Sequence, residues 1–576
     1  MKKITISLLL AGIFAAGAVQ GQSIKDGVKD LYAERYKSAK ATFEKLIASN
    51  PNNIEATYWL GQTHLEMDDT AGAKDVYSKA LLSSANAPLL IVGMGQVELM
   101  ENKISEARQR FEAAITMTRG KKGDDPDILN AVGRAITNTY NAKDKKGGDI
   151  NYAVEKLEAA AKRDPKNADI MLNLGNAYRK AKPGEAGGQA FQSYRRATEI
   201  DENFAPAYHR MAQLFNTQRN WDLYEKYLTD AITKDPRFAP AYYDLYYFKL
   251  SRLDWTAAED FAKKYIANTD PDPQNDYLRV QTLWAKKDFD GAISGAKNII
   301  SQAGPQTKAR VFKLIADSYL QKKDTASAKE YVDQYFAKAK PEELTPLDYQ
   351  MKASAYSVIP GQEAVVIESY REGVKADTVM ENKIDLLKKG AAFFAAKKDY
   401  VNESQLQEMI LEIKPNLTIN DYFAAGLANY RAKDYGQSYD IFKIVAEKYP
   451  DQEFGWEWMH NNAILIDTVK KDSIALPAAL KLFEFAQKDT VKFARQISSS
   501  SYFLATYYLE QGDKEKAIDY LKKMKSATKD PAVQESIQNN IDQLSKPTAT
   551  PKQQQKSPPR SSTSGGASST KKPGGT

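Results

Sequence analysis

His64, His209 and His460 are the three histidines of a 576-residue chain that contains no cysteine. Imidazole can ligate a metal or serve as a general base near neutral pH, and a thiolate is a nucleophile or a soft metal ligand. Neither chemistry finds partners here. The histidines lie in separate stretches of the chain, each without a second His or a Cys nearby in sequence to complete a metal-ligand set. The lack of cysteine removes disulfides, thiol catalysis, Cys-bound metals and a lipid-anchored N-terminal Cys. The phosphate loop G-x-x-x-x-G-K-[ST], the H-E-x-x-H pair and the G-x-S-x-G elbow do not occur. Gly93-Met94-Gly95 lacks the third glycine of a dinucleotide fingerprint and reads as two small helix-packing positions. The acidic pairs Asp68-Asp69 and Asp124-Asp125 fall in predicted turns, where a carboxylate caps a helix. We therefore expect a protein that is not an enzyme, with no metal and no cofactor, unless distant residues assemble a composite site.

Charge narrows the partners. The formal net charge is +7, but Lys2 and Lys3 stand alone at the N-terminus and six basic residues, with no acid, fall in 546–576. Residues 22–545 carry −1. A body without a basic excess lacks the counterion-release term on which nucleic-acid binding depends. Residues 1–21 follow the charged, apolar and small-residue order of a secretory signal peptide, too short for a span of ~20 residues. Cleavage after Ala18 or after Gly21 fits. The expected location is outside the cytoplasm, in the periplasm, with outer-membrane association or secretion as alternatives, and no membrane span remains after cleavage. Residues 546–576 are rich in Pro, Ser, Thr, Gly and Gln without an aromatic residue, so they are expected to form a disordered basic tail able to touch anionic envelope surfaces.

The elements between these ends repeat. Ala-x-x-x-aromatic-x-x-Ala, with Pro about five residues on, recurs every 34 to 40 residues. Copies include Ala39, Phe43, Leu46, Pro51; Leu60-Gly61, Ala73, Tyr77, Ala80; Gly95, Ala107, Phe111, Ala114; Ala153, Leu157, Ala160, Pro165; and Leu174-Gly175, Tyr178, Ala190, Tyr194, Ala197. Later ones include Ala328, Val332, Tyr335, Pro341; Gly426, Phe442, Val445, Pro450; and Ala517, Leu521, Met524. Small residues let two helices approach, aromatics fill the space between neighbouring pairs, and Pro ends the second helix. One pair cannot bury its apolar face alone, so the stack is the stable object.

This pattern resembles the tetratricopeptide repeat (TPR) family, whose unit is a 34-residue helix-turn-helix. The resemblance covers nearly all of 24–531 and implies an all-α, TPR-type right-handed α-solenoid of about fourteen helix-turn-helix repeats. The copies near 353–373 and 384–415 are the most degenerate. Pro271-Asp272-Pro273 can divide an N-terminal array, 22–270, from a C-terminal array, 271–531, or interrupt nothing. Residues 532–545 read as a capping helix, with Val533, Ile537, Ile541 and Leu544 on one face. Longer connections at Lys143 to Gly148, at Pro183-Gly184 and Gly187-Gly188, and from Asp467 to Pro477 read as surface loops.

The family resemblance also implies a function: the concave surface, lined by the first helix of each pair, grips peptides or partner helices. Carried over to this sequence, it points Asn130, Arg134, Asn173, Asn176, Arg179, His209, Arg210 and Gln213 toward the groove. Asn can bind a peptide backbone as donor and acceptor, and Arg can hold a carboxylate bidentately. This set resembles the family's carboxylate clamp without its lysines. Spacing assigns Tyr208, Tyr242 and Tyr246 to the core and leaves Tyr243 and Tyr247, four apart, on the groove face, where exposed Tyr suits an interface. The triplets that begin at Asp69, Asp324, Asp377, Asp467, Asp472 and Asp489 resemble an O-glycosylation sequon of exported proteins of some Gram-negative bacteria, with acceptors Thr70, Thr325, Thr378, Thr468, Ser473 and Thr490. The same triplets suit a turn before a helix. The reading is a non-catalytic scaffold for protein or peptide partners in the bacterial cell envelope, with a glycan- or peptidoglycan-binding accessory protein as the alternative.

Overall fold

The structure, a computed structural model, describes residues 23–546. The signal peptide and the basic tail expected from the sequence lie outside the described residues. Among those described, 29 α-helices succeed one another, and nearly all pack against the next in chain order, as antiparallel pairs. The fold is all-α and solenoidal, with about fourteen pairs, as the repeat spacing requires.

The described residues divide into two compact units, 23–343 with 354–358, and 344–353 with 359–546. Pro271 and Pro273 lie inside the first. Its first seven pairs are α1 (Ile24–Tyr32) with α2 (Tyr36–Ser49), α3 (Ile54–Glu66) with α4 (Thr70–Ser83), α5 (Pro88–Met100) with α6 (Ile104–Thr118), α7 (Pro126–Thr139) with α8 (Ile150–Arg163), α9 (Ala168–Ala181) with α10 (Gly187–Ile200), α11 (Ala205–Thr217) with α12 (Trp221–Lys234), and α13 (Ala239–Ser251) with α14 (Trp255–Asn268). The second unit ends on the helix Pro531–Ser545, whose Ile537 and Ile541 pack on Ala505 and Leu521.

Several turns inside a pair use one device. A residue at positive φ is followed by a carboxylate or amide that caps the second helix: Asp68 (φ 59°) before Asp69, and Arg219 (φ 55°) before Asn220. Asp69 Oδ1 accepts from the Gly72 N–H at 2.8 Å, satisfying an amide that the helix leaves unpaired. The Asp124-Asp125 pair behaves likewise, since Asp125 caps α7 while Asp124 pairs with Arg119 at 2.5 Å.

The repeated Ala and aromatic positions are buried as expected, including Ala39, Phe43, Tyr77, Phe111, Leu157 and Tyr194. The small residues make room for these side chains. A Cβ placed on Gly93 would lie 2.5 Å from Tyr77 Cζ, and one on Gly95 would lie 2.5 Å from Phe111 Cε1. Neither separation is tolerable, so glycine at these sites is a packing requirement. Of the lengthened connections, Tyr140 to Asp149 separates α7 from α8, with Asn141 bridging Lys146, but only Lys182 to Ala186 separates α9 from α10: Gly187 and Gly188, expected in a loop, open α10, and Ala475 to Pro477, expected in the third loop, open the helix Ala475–Ala486.

Candidate functional site

The first unit closes on itself. The tip of the first hairpin, between α1 and α2, meets residues about 140 to 240 positions later in the chain. The Tyr32 phenol donates to Asp169, and its ring stands edge-on to Phe204 at 6.0 Å. Ala33 is fully buried in one cluster with Ala205, Ala212, Phe238, Ala241 and Leu245. Arg35 is 3% exposed and donates from Nη1 to the Arg237 carbonyl at 2.8 Å, while Nε holds Asp30 at 2.8 Å. Ser38 Oγ donates to Asp270 at 2.6 Å, and the Lys37 N–H does so at 2.7 Å. Seven helix pairs thus bring α1 and α2 back against α11 to α14.

Inside this ring Asp169 gathers four donors: Tyr32, Asn130 Nδ2 at 2.6 Å, Arg134 Nη1 at 2.9 Å and Asn173 Nδ2 at 3.1 Å. Asn173 also donates to Asn130 Oδ1 at 2.9 Å. Arg134 lies over the Trp59 ring at 4.3 Å and donates to the Tyr58 hydroxyl at 3.2 Å. Burial opposes the charge on Arg134, but Tyr58, Asp169 and Tyr32 outweigh it and push its pKa up. Burial likewise raises the phenols of Tyr32 and Tyr58 above their ordinary range, which keeps them neutral donors.

In front of this network is a cavity of about 610 Å³. The hairpin tip contributes Tyr32, Glu34 and Tyr36, α3 contributes Trp59, Gln62 and Glu66, and α9 contributes Asn173, Asn176, Arg179 and Lys180. The rest of the lining includes Arg134, Thr137 and Asn138 of α7 and His209 and Arg210 of α11, with Phe238 just before α13. The connections expected to be plain surface loops also contribute, through Ala142 and Pro183.

The charges in this wall are unevenly matched. Arg179 and Arg210 form no ion pair among the described residues. Lys180 Nζ donates to the carbonyls of Thr137 and Tyr140 at 2.6 and 3.0 Å, and burial, then Arg210, lowers its pKa. Glu34 and Glu66, exposed by area but walled in by the cavity lining, are both raised above the ordinary carboxylate value by desolvation, against the pull of Arg210.

The remaining inward positions form a ladder between successive pairs. Gln62 donates to Gln96 at 2.9 Å, His209 meets Asp244 at 2.8 Å, Tyr247 donates to Gln281 at 2.9 Å, and Trp284 Nε1 donates to Asp317 at 2.7 Å. Their sequence separations of 33 to 35 residues are the repeat itself.

Of the ten groove candidates, six line the cavity: Arg134, Asn173, Asn176, Arg179, His209 and Arg210. Asn130 stands behind it on Asp169, and Gln213 shares Asp244 with His209. Tyr243 and Tyr247 lie in a different place, edge-on to each other at 4.8 Å, with Tyr243 5.5 Å from Tyr265 and both against the next core cluster. Tyr242 and Tyr246 are buried as expected, and Tyr208 is half-buried. Asp169, Tyr32, Glu34 and Glu66 were not singled out from sequence. Asp169 stands one turn before Asn173 on the same helix face, and that spacing was the available signal.

Among the described residues no group of three or more His, Cys, Asp or Glu could hold a metal ion, and no helix is long and apolar enough to cross a membrane. His64 Nδ1 meets the capping Asp69 at 2.7 Å, and His460 is buried beside Phe503. Of the six proposed sugar acceptors, Thr378, Thr468, Ser473 and Thr490 are exposed, whereas Thr70 and Thr325 are half-buried first residues of helices capped by Asp69 and Asp324.

A stack of helical hairpins with small-to-aromatic packing and a polar inward face defines a helical-repeat protein of the binding class. Three family models, each described as tetratricopeptide repeat, match residues 30–90, 145–203 and 498–530. The chain thus carries tetratricopeptide repeats at these three stretches, within a TPR-like solenoid. Solved structures similar to it include the C-terminal part of a TPR repeat-containing protein from Cytophaga hutchinsonii, 20% identical over 45% of this chain and 97% of that one, with a TM-score of 0.25. A tetratricopeptide repeat protein from Parabacteroides merdae is 16% identical over 42% of this chain and 91% of that one, with a TM-score of 0.35. Yeast Tom70 is 12% identical over 67% and 91%, with a TM-score of 0.38.

Proposed function

We propose that this repeat protein is a non-catalytic scaffold, exported to the cell envelope, which captures a protein partner on the inward face of its first helices. Repeat register carries the proposal. Tyr243 and Tyr247 stand 34 residues after His209 and Gln213, and the ladder through Asp244 and Gln281 joins the same positions of successive pairs. The half-buried tyrosines therefore extend the cavity's inward face past the point where the hairpin tip closes the ring. Tyr offers rigid amphipathic contact area at little entropic cost, and a stacked scaffold presents it without first having to order itself. Export rests on the order of residues in 1–21. The exposed Thr378, Thr468, Ser473 and Thr490 are the acceptors available if the exported chain is glycosylated.

The test places a photo-crosslinking amino acid at Tyr243 or Gln213 and, as a control, at the exposed Lys226 of α12, in cells that make the protein. A discrete crosslinked partner from the two inward positions and none from Lys226 is the expected result. Crosslinks only from Lys226 would refute the inward face.

A further inference from the structure

The cavity of the first unit contains more positive charge than its own carboxylates match. Asp169 takes up Arg134, which leaves Arg179, Lys180 and Arg210 around Glu34 and Glu66. Neither Arg179 nor Arg210 is ion-paired among the described residues. Two guanidinium groups without an ion pair, that of Arg179 hydrogen-bonded with Tyr194, and an ammonium group about one space repel one another, and an anion between them removes that repulsion. The volume of about 610 Å³ falls within the range of roughly 300 to 1,000 Å³ typical of small-molecule sites and is many times the share of one water, about 30 Å³. Trp59 and Phe238 add apolar surface to the same wall. Because the hairpin tip bounds one side, the space suits a compact molecule better than a chain threading through.

We infer that this cavity binds a small organic oxyanion, a carboxylate- or phosphate-bearing molecule, with its anionic group between Arg179 and Arg210 and its carbon skeleton toward Trp59 and Phe238. Arginine matches both carboxylate and phosphate with two parallel N–H donors, so the two chemistries share the site. The inference goes beyond protein capture and does not depend on it, since Tyr243 and Tyr247 take no part in the cavity.

Isothermal titration of the full chain with citrate and with glucose 6-phosphate separates the two anion chemistries, and inorganic phosphate supplies an anion with no skeleton. We expect one organic probe to bind at one per chain, more tightly than inorganic phosphate. Arg179→Gln and Arg210→Gln should each weaken that binding about tenfold or more, the loss expected for a charge-assisted hydrogen bond. Lys522→Gln, an exposed change in the second unit, should leave it unchanged, and circular dichroism confirms that each variant is folded. No saturable binding of either organic probe at low-millimolar concentration overturns the inference. So does inorganic phosphate binding as tightly as both, or a titration insensitive to the two arginine changes.

Discussion

The Tyr32 phenol donates to the Asp169 carboxylate across 137 residues of chain, and this bond ties the first helix pair to the fifth. It also completes the donor shell of the carboxylate that neutralises Arg134. A contact of this kind serves two purposes, holding the ring closed and keeping a buried charge paired.

Replacement of Asp169 by Ala strands Arg134, which is 6% exposed, without an ionic partner. Breaking a buried pair from one side costs about 3 to 5 kcal/mol. Tyr32→Phe removes one bond to a charged acceptor and should cost about 1.5 to 3 kcal/mol. Urea unfolding followed by circular dichroism checks the order, and an Asp169→Ala loss no larger than that of Tyr32→Phe would contradict it.

Arg35→Ala should free the first hairpin from its dock. The guanidinium bonds Asp30 and the Arg237 carbonyl, so its loss leaves a half-buried acid with only the more distant Arg237 and a carbonyl short of a donor. Amide hydrogen exchange is expected to accelerate across α1 and α2 while α5 to α8 keep their protection. Uniform acceleration throughout the first unit would mean that the hairpin is integral to the fold and no separable closure exists.

Much of this was legible in the sequence because it is set locally. The Ala and aromatic positions, the Asp caps and the core placement of Tyr242 and Tyr246 follow from helical periodicity and turn chemistry, which one repeat suffices to show. Six of ten groove candidates reached one cavity because family register fixes which helix faces inward. The closure of the ring was not legible. It brings Tyr32 to Asp169 and Ser38 to Asp270 by summing a small rotation over seven pairs, and no single repeat records that sum. For the same reason Asn130, Arg134 and Asn173, read as free to grip a ligand, are engaged with Asp169. An Arg134→Ala test of binding would be confounded by lost stability.

Glu34 and Glu66 hold their protons to higher pH than an ordinary carboxylate because the surrounding cavity wall desolvates them. His209, Arg210 and Asp244 face Glu34, while Arg210, Glu34, Asp68 and Lys180 face Glu66. With raised values the folded state binds more protons than the unfolded one, so these two groups add stability as the pH falls through their range and lose it as the pH rises. Protonation also removes negative charge beside Arg210, so affinity for an oxyanion whose own charge does not change should strengthen as the pH falls through their range. The same titration repeated with Glu34→Gln and Glu66→Gln together should lose that trend.

His460 gives the opposite dependence in the second unit. Burial lowers its pKa from 6.5 to about 4, so the unfolded chain binds the extra proton between those values. Its contribution is intact above pH 6.5 and declines by about 3 kcal/mol as the pH falls to 4. His460→Gln should flatten the unfolding free energy across that window, and an unchanged slope would show that other groups govern it.

Closure of the first unit by its own first hairpin is the claim on which the cavity and its inward face depend, and the absence of cysteine allows a direct measurement. Ser38 and Asp270 are joined side chain to side chain at 2.6 Å, so Ser38→Cys and Asp270→Cys place two thiols at this junction. Mild oxidation of the purified double variant should give nearly complete intramolecular crosslinking, seen as a reducible mobility shift of the monomer and as loss of free thiol. Two thiols that stay free, or crosslinks formed only between separate chains, would contradict the closed ring.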